Sequence, residues 1–433
     1  MALGIPAVVG VCAAAAVFSL GARPDNGAAD PGVTAVPSEL AGYSYLMASV
    51  SDSPPGAAVA LYQHGFGVEL MDFPQAVVLG AGGDVYRRLD LAEQRAGAET
   101  QGDPAPMLLS PDGTRVALGD HDLLRPDVLV VDLATGTATR HELPTGRSVI
   151  PLAWSSDGRQ LAHLVSPEAT NPYLGEQIVG DLAVLDLDDD TATVLDFGGR
   201  ASGAAFSPDG SELAVQQNGA DGAADTLSVV APASDSRRVI EATGVLAGQA
   251  AWSPDGRLLA TTTTRPSPAI PGVDVPGIPT GLAFVDPTGG DGDVPEPLPL
   301  PVSSAGRVLG WSAPDEVLTL LDVPAGDDCC GPEASTLSAI PLNGTEPRTL
   351  MRMSGLQNYG VGRFQLASAT VADLHVVNPA RVDHGDWPLP ERIFLALLGG
   401  FVAWVASRVL RRVGRALMAP RRRLAPRPAA GGG

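Results

Sequence analysis

The chain has 433 residues, 45% hydrophobic and only 5% aromatic, with 51 glycines and 39 prolines. That mixture suits many short strands joined by tight turns and argues against a largely helical fold. All 28 basic residues are arginine, and eight of them lie at or after Arg408, where no acid occurs; the 20 that remain face all 49 acids, so the preceding body carries a net −29, which repels phosphate backbones and excludes nucleic-acid binding by the main domain.

In chain order, the first element is an uncharged run from Ala2 to Gly21, about as long as a bilayer core requires of a helix. Residues 1–22 therefore read either as a signal peptide or as an uncleaved transmembrane anchor. No arginine precedes the apolar run, which speaks against a signal peptide, whereas Ser19 and Gly21 form a small-residue exit suited to cleavage. Val11 before Cys12 weakens a lipoprotein reading. Residues 23–57 read as a linker and first strand region.

Residues 58–372 contain an internal repeat. The stretches LLSPDGTRVAL, AWSSDGRQLAHL, AFSPDGSELAV, AWSPDGRLLAT and the degraded GWSAPDEVLTL place turn aspartates at Asp112, Asp157, Asp209, Asp255 and Asp315. That period fits one four-stranded blade of a β-propeller. Within the template an apolar or aromatic residue closes one strand and Ser-Pro-Asp-Gly reverses the chain. Proline sets the first turn φ, and Gly113, Gly158, Gly210 and Gly256 supply the positive φ of a bulged type I turn. Ser156 replaces the proline once; the last copy lacks the glycine and gains a residue, which demands another turn geometry. Each hairpin is followed by a second, such as DVLVVDLATGTATRHEL from Asp127. AVALYQHGFGVEL and QAVVLGAGGDVYRRLDL supply strands for a first blade, and RFQLASATVADL from Arg363 is left over. Used to complete the first blade, it gives an all-β, six-bladed propeller that joins the two ends of the chain; seven blades is the alternative.

These hairpins resemble those of the TolB-like and WD-repeat-like propellers, whose blades carry similar W-S-P-D-G and V-D-x-x-T-G elements. The likeness spans roughly residues 58 to 372 and implies the fold; it carries no activity with it. The Gly-His and Trp-Asp signature of eukaryotic WD repeats is absent, and the chain has no room for the N-terminal α/β domain of TolB proteins. With an apolar segment at each end, the chain looks more like uncharacterised actinobacterial membrane proteins that carry a TolB-like propeller.

Five repeats at blade spacing make Asp112, Asp157, Asp209 and Asp255, with their glycines, turn chemistry rather than catalysis. No G-x-S-x-G elbow is present, and the six histidines show no ligand spacing, so no catalytic residue, metal or cofactor is expected. Propeller topology puts the Ser-Pro-Asp-Gly turns, between strands a and b of each blade, on one face and the longer b–c connections on the other. Irregular loops on one rim of a rigid scaffold are where binding residues gather. The candidates there are Asp120, His121, Asp122, Tyr173, Arg265, Asp327 and Asp328. Cys329 and Cys330 are adjacent on the same rim and read as a strained vicinal disulfide, two free thiols or an intermolecular bridge.

Residues 373–388 read as a juxtamembrane linker and 389–410 as a transmembrane helix, with Arg408 snorkelling at its end. An Arg-rich tail, 411–433, follows; positive-inside bias puts it in the cytoplasm and the propeller outside. An amphipathic helix lying on anionic lipid is the alternative. The expected role is a non-catalytic binding or scaffolding module for a protein or cell-envelope ligand, with membrane lipid as a second partner through the helix and tail. The alternatives are an envelope glycan- or peptide-processing enzyme using carboxylates of the b–c face, and a signalling subunit coupled through its tail.

Overall fold

The computed structural model describes residues 4–20, 34–44, 46–65, 74–173, 178–196, 199–219, 225–234, 236–266, 277–290, 292–300, 306–323, 334–354 and 361–418. The chain divides into two compact units, residues 26–385 and residues 1–25 with 386–433.

The larger unit contains six four-stranded antiparallel sheets. The last strand in sequence to join a blade, Val361–Leu366, pairs with Ala58–His64, so the first blade runs Val361–Leu366, Ala58–His64, Gln75–Gly80, Tyr86–Arg88 from strand a to strand d. The other five are built from consecutive strands: the second from Met107–Leu109, Arg115–Leu118, Asp127–Asp132 and Ala138–Glu142; the third from Ser148–Trp154, Gln160–Ser166, Asp181–Asp186 and Thr191–Val194; the fourth from Ala201–Phe206, Leu213–Gln217, Thr226–Ala231 and Ser236–Ile240; the fifth from Val245–Leu246, Leu259–Arg265, Ile278–Val285 and Leu298–Pro299; and the sixth from Gly310–Ala313, Glu316–Val323, Ala334–Pro341 and Arg348–Ser354. The fold is a six-bladed propeller, closed as the leftover-strand reading expects. Closure in one blade matters energetically, because parting the ring there breaks a β-ladder and not only side-chain packing. Gln365 adds a second tie: its Nε2 donates to Met107 O at 2.9 Å and its Oε1 accepts from Leu109 N at 2.8 Å, linking the innermost strands of blades 1 and 2.

The core lies in wedges between adjacent blades. Leu61, Val78, Leu109, Val116 and Leu118 fill one such wedge, and Trp252, Phe284, Trp311 and Val317 belong to another. The template tryptophans do more than bury area. Trp154, Trp252 and Trp311 each donate their indole N–H to a backbone carbonyl of the preceding blade, Leu108 O at 3.1 Å, Ala205 O at 3.0 Å and Ala250 O at 2.9 Å. Each satisfies its buried polar edge while pinning blade to blade.

The repeated turns are closed networks. In Ser-x-Asp-Gly the serine hydroxyl donates to the aspartate (Ser110 to Asp112, Ser155 to Asp157 and Ser207 to Asp209 at 2.6 Å, Ser253 to Asp255 at 2.7 Å). The same hydroxyl accepts from the N–H five residues on, for example Leu258 N at 2.9 Å. Gly113, Gly158, Gly210 and Gly256 all sit at φ between +66° and +72°, as the turn requires. In the sixth blade Ala313 pairs with Glu316, leaving a two-residue Pro314-Asp315 loop, which is the altered geometry that the extra residue demanded.

Segments flanking the repeats add a layer outside it. Ala35–Pro37 pairs in parallel with His375–Val377, and single bridges join Glu39 to Arg352 and Val85 to Asp383. Arg87 is buried there, donating to Ser53 O at 2.9 Å and pairing with Asp383 at 3.1 Å. These contacts cover outer strands of blades 6 and 1, edges that would otherwise present unpaired backbone.

In the smaller unit, the helices Gly4–Leu20 and Leu389–Met418 pack against each other. Glycines meet at the contact: a Cβ placed on Gly400 would stand 2.9 Å from Gly10 O, and one on Gly10 would stand 3.0 Å from Gly400 O. Arg392 lies over the Phe18 ring at 4.5 Å. The stretch Leu389–Val413 is long and apolar enough to cross a membrane by length and composition.

Candidate functional site

The innermost strands of all six blades surround a central cavity of about 510 Å³. It lies toward the b–c side: His121, Pro172, Thr264 and Pro279 come from b–c connections or the strand ends beside them, and no Ser-Pro-Asp-Gly residue lines it. Its wall mixes apolar side chains such as Ile150, Leu152 and Leu246 with polar ones such as Gln216, Gln249 and Thr262.

One rim of the cavity is built by the b–c loops of blades 2 and 3 and the connection between blades 1 and 2. Asp120 exchanges backbone hydrogen bonds with Val149, both at 2.9 Å, which fixes the loop after strand b of blade 2 onto the innermost strand of blade 3. Its own carboxylate is buried and accepts from Asp122 N at 3.0 Å; burial raises its pKa despite that bond. His121, only 3% exposed, contacts Thr170 Oγ1 through Nδ1 at 2.9 Å, and Thr170 Oγ1 contacts Ser148 Oγ at 2.6 Å. Burial, and then the positive charge of Arg363, push the His121 imidazole down to about 4, so it is neutral at physiological pH. Asp122 pairs with Arg147 at 2.5 Å, and that hydrogen bond first of all holds its carboxyl below the usual range.

Tyr173 reaches over this rim. Its phenol donates to Asp103, its backbone N–H is fixed by Asn171 Oδ1 at 2.8 Å, and Asn171 Nδ2 donates to Glu99 at 2.9 Å. Burial and then the hydrogen bond to Asp103 push the phenol up, so it remains a donor across the physiological range. Asp103 also faces Arg363, at 3.8 Å, and Arg363 Nη1 donates to Pro104 O at 3.2 Å. The structure thus gathers His121 and Tyr173 around Arg363, while Asp120 and Asp122 brace the loop beside them. Arg265 ends strand b of blade 5 in an exposed position. Asp327, Asp328, Cys329 and Cys330 lie outside the described residues.

Two lumen residues were absent from the sequence-based candidates. Arg307 precedes the innermost strand of its blade and Arg363 lies within that of its own, in the stretches GRVLGW and GRFQLA. Arg363 adopts φ +51°, an uncommon conformation for a residue with a side chain. Both follow a glycine; Arg307 occupies a d–a connection, which propeller topology places on the same face as the b–c loops, and attention to those connections would have found it. Among the described residues the Arg307 guanidinium has neither ion pair nor hydrogen bond, and it is exposed to the lumen. Burial, and then the charge of Arg363, depress its pKa. No group of three or more His, Cys, Asp or Glu placed to hold a metal occurs among the described residues.

No family model and no curated protein matches the chain. Among solved structures it is similar to TolB from Acinetobacter baumannii, with 16% identity over 72% of this chain and 67% of that one and a TM-score of 0.48. A putative TolB from Agrobacterium tumefaciens gives 14% identity over 72% and 99%, TM-score 0.31, and the Cps50 (Swd1) propeller domain from Myceliophteria thermophila gives 13% over 58% and 71%, TM-score 0.38. These neighbours are β-propellers. The six-blade architecture itself rests on the hydrogen-bonded strand order of this chain.

Proposed function

We propose that the chain is a membrane-tethered, extracytoplasmic β-propeller that binds a protein or cell-envelope ligand over its b–c face, without catalysis. The observation that carries the binding reading is the asymmetry of the two faces. The a–b face is made of self-satisfied turns, whereas the b–c face holds a cavity of about 510 Å³ rimmed by His121, Tyr173 and Arg363. Leu124, in a b–c loop, is 97% exposed and supplies an apolar contact on that rim. Against an acid–base enzyme stands the lining of the cavity, which contains no carboxylate among the described residues.

Tethering is supported by the outward apolar faces of the helix pair, where Phe394, Leu397, Phe401 and Leu410 are each at least 60% exposed, a surface suited to lipid. Close packing at Gly10 and Gly400 favours a retained N-terminal anchor over a cleaved signal, because the N-terminal helix fills the notch that the glycine leaves. Arginines at 408, 411, 412 and 415 orient the tail to the cytoplasm.

Two experiments test this reading. A reporter fused after Gly433 is expected to behave as cytoplasmic, and an extracytoplasmic signal overturns the topology. In-cell crosslinking followed by purification is expected to recover one partner that is lost on combining Leu124→Asp with Tyr173→Ala and kept by Asp255→Ala; the reverse pattern overturns the assignment of the face.

A further inference from the structure

Before Arg408 the chain has 20 arginines against 49 acids, so a cation without a carboxylate partner is unexpected in its propeller. Most described arginines obey the expectation, as Arg87 with Asp383, Arg95 with Asp127, Arg238 with Glu212 and Arg348 with Glu316 illustrate. The central cavity departs from it. Its lining holds Arg307, Arg363 and His121 and no acid among the described residues. Asp103, which pairs with Arg363, is 3.8 Å away and is also engaged by the Tyr173 phenol. Arg307 has no partner at all among the described residues and is exposed to the lumen. A guanidinium that faces a lumen without a carboxylate partner is available to an anion, and its planar fork of donors matches carboxylate or phosphate oxygens.

We propose that the cavity binds a ligand bearing an oxyanion, carboxylate or phosphate, with Arg307 as its principal contact, Arg363 as the second cation, and an apolar body of the ligand packed on Ile150, Leu152 and Leu246. The inference rests on the b–c face as the binding face and specifies the chemistry at its centre. His121 is neutral there and serves as a hydrogen-bonding wall, not as a third charge. The apolar side chains of the lining add affinity for an anion that carries hydrocarbon, on top of the oxyanion contact that a simple anion can also make.

The test is isothermal titration calorimetry of the full chain in a neutral detergent, against inorganic phosphate and against succinate, each at ionic strength matched with sodium chloride. Saturable one-to-one binding of at least one of them is expected, and the tighter of the two assigns the source as phosphate or carboxylate. Arg307→Gln is expected to weaken it at least tenfold, Arg307→Lys less, and Arg348→Gln, at an outer ion pair, not at all. Melting temperature supplies an independent readout: without anion Arg307→Gln melts at or above the parent, since it relieves an unpartnered charge, and it loses the anion-induced rise. Heats no larger than the salt control for both anions, or unchanged affinity in Arg307→Gln, or a lower melting temperature for that variant without anion, overturn the proposal. Partner capture that depends on Leu124 and Tyr173 does not require the anion, so failure here leaves the binding face standing and the two outcomes are distinguishable.

Discussion

Asp255→Ala separates a structural aspartate from a functional one. Asp255 Oδ1 accepts from Ser253 Oγ at 2.7 Å and from Arg257 N at 3.2 Å, and Oδ2 pairs with Arg257 Nε at 2.6 Å. Burial raises its pKa, but those bonds outweigh it and hold the carboxyl below its usual range. Arg257 is 68% exposed, so solvent screens the ion pair and it adds little. The two remaining hydrogen bonds to a half-covered carboxylate contribute about 1 kcal/mol each, below the full charge-assisted range because the side chain is 30% exposed. Asp255→Ala is therefore expected to cost about 2 kcal/mol, and Asp255→Asn, which keeps an acceptor, about half as much. Ser253→Ala also leaves Leu258 N without its acceptor, and because Ser253 and Asp255 share a bond, the double variant costs less than the two single costs together. For a unit of this size 2 kcal/mol lowers the melting temperature by roughly 3 °C. Near-ultraviolet circular dichroism can follow it through Trp252, which is fixed to Ala205 O across the blade boundary. A folded Asp255→Ala protein with an unchanged melting temperature and lost partner capture refutes the turn reading.

Further outcomes follow from packing and charge. His163 is fully buried and burial lowers it to about 4, as it does His121. Below the unfolded value near 6.5 the unfolded chain binds protons that the folded one refuses, so stability is complete above about pH 6.5 and falls toward pH 4, by up to about 3 kcal/mol per histidine. Denaturation midpoints measured in urea between those limits check this, and His163→Leu is expected to flatten the slope. Gln365→Ala removes both ties between blades 1 and 2 and is expected to cost about 2 to 3 kcal/mol, with faster amide exchange at Leu109; unchanged exchange contradicts the closure role. The double variant Val17→Cys, Gly399→Cys is expected to form a disulfide in membranes, seen by mass spectrometry, that adding Gly400→Leu abolishes; an N-terminus lacking residues 1–20 contradicts the retained anchor.

The propeller was legible because its hairpins repeat: the Ser-Pro-Asp-Gly turn at Asp255 and its relatives encode local geometry within five residues, and blade spacing does the rest. Strand Val361–Leu366 could be placed as well, since an unpaired strand has one open blade to complete. The partnership of Trp252 with Ala205, 47 residues apart, was not legible, because the tryptophan reads as an apolar strand end whichever neighbour accepts its N–H. Pairing of Ala35–Pro37 with His375–Val377 was hidden for a related reason: it lies outside the repeat, and three-residue strands carry no usable period. In the candidate site, loop length pointed to Asp120, His121, Asp122 and Tyr173, but length says nothing of charge balance. Arg307 became distinctive only once the walls around it proved to hold no acid among the described residues, a property of the closed ring that no single segment contains.

The most direct test of the account is a site-specific photocrosslinker in intact cells, placed in turn at Tyr173 on the b–c rim and at Ser211 on the a–b turn face, both accessible positions. The account predicts a discrete adduct from Tyr173, lost with Leu124→Asp, and none from Ser211. Adducts from Ser211 with none from Tyr173 contradict it.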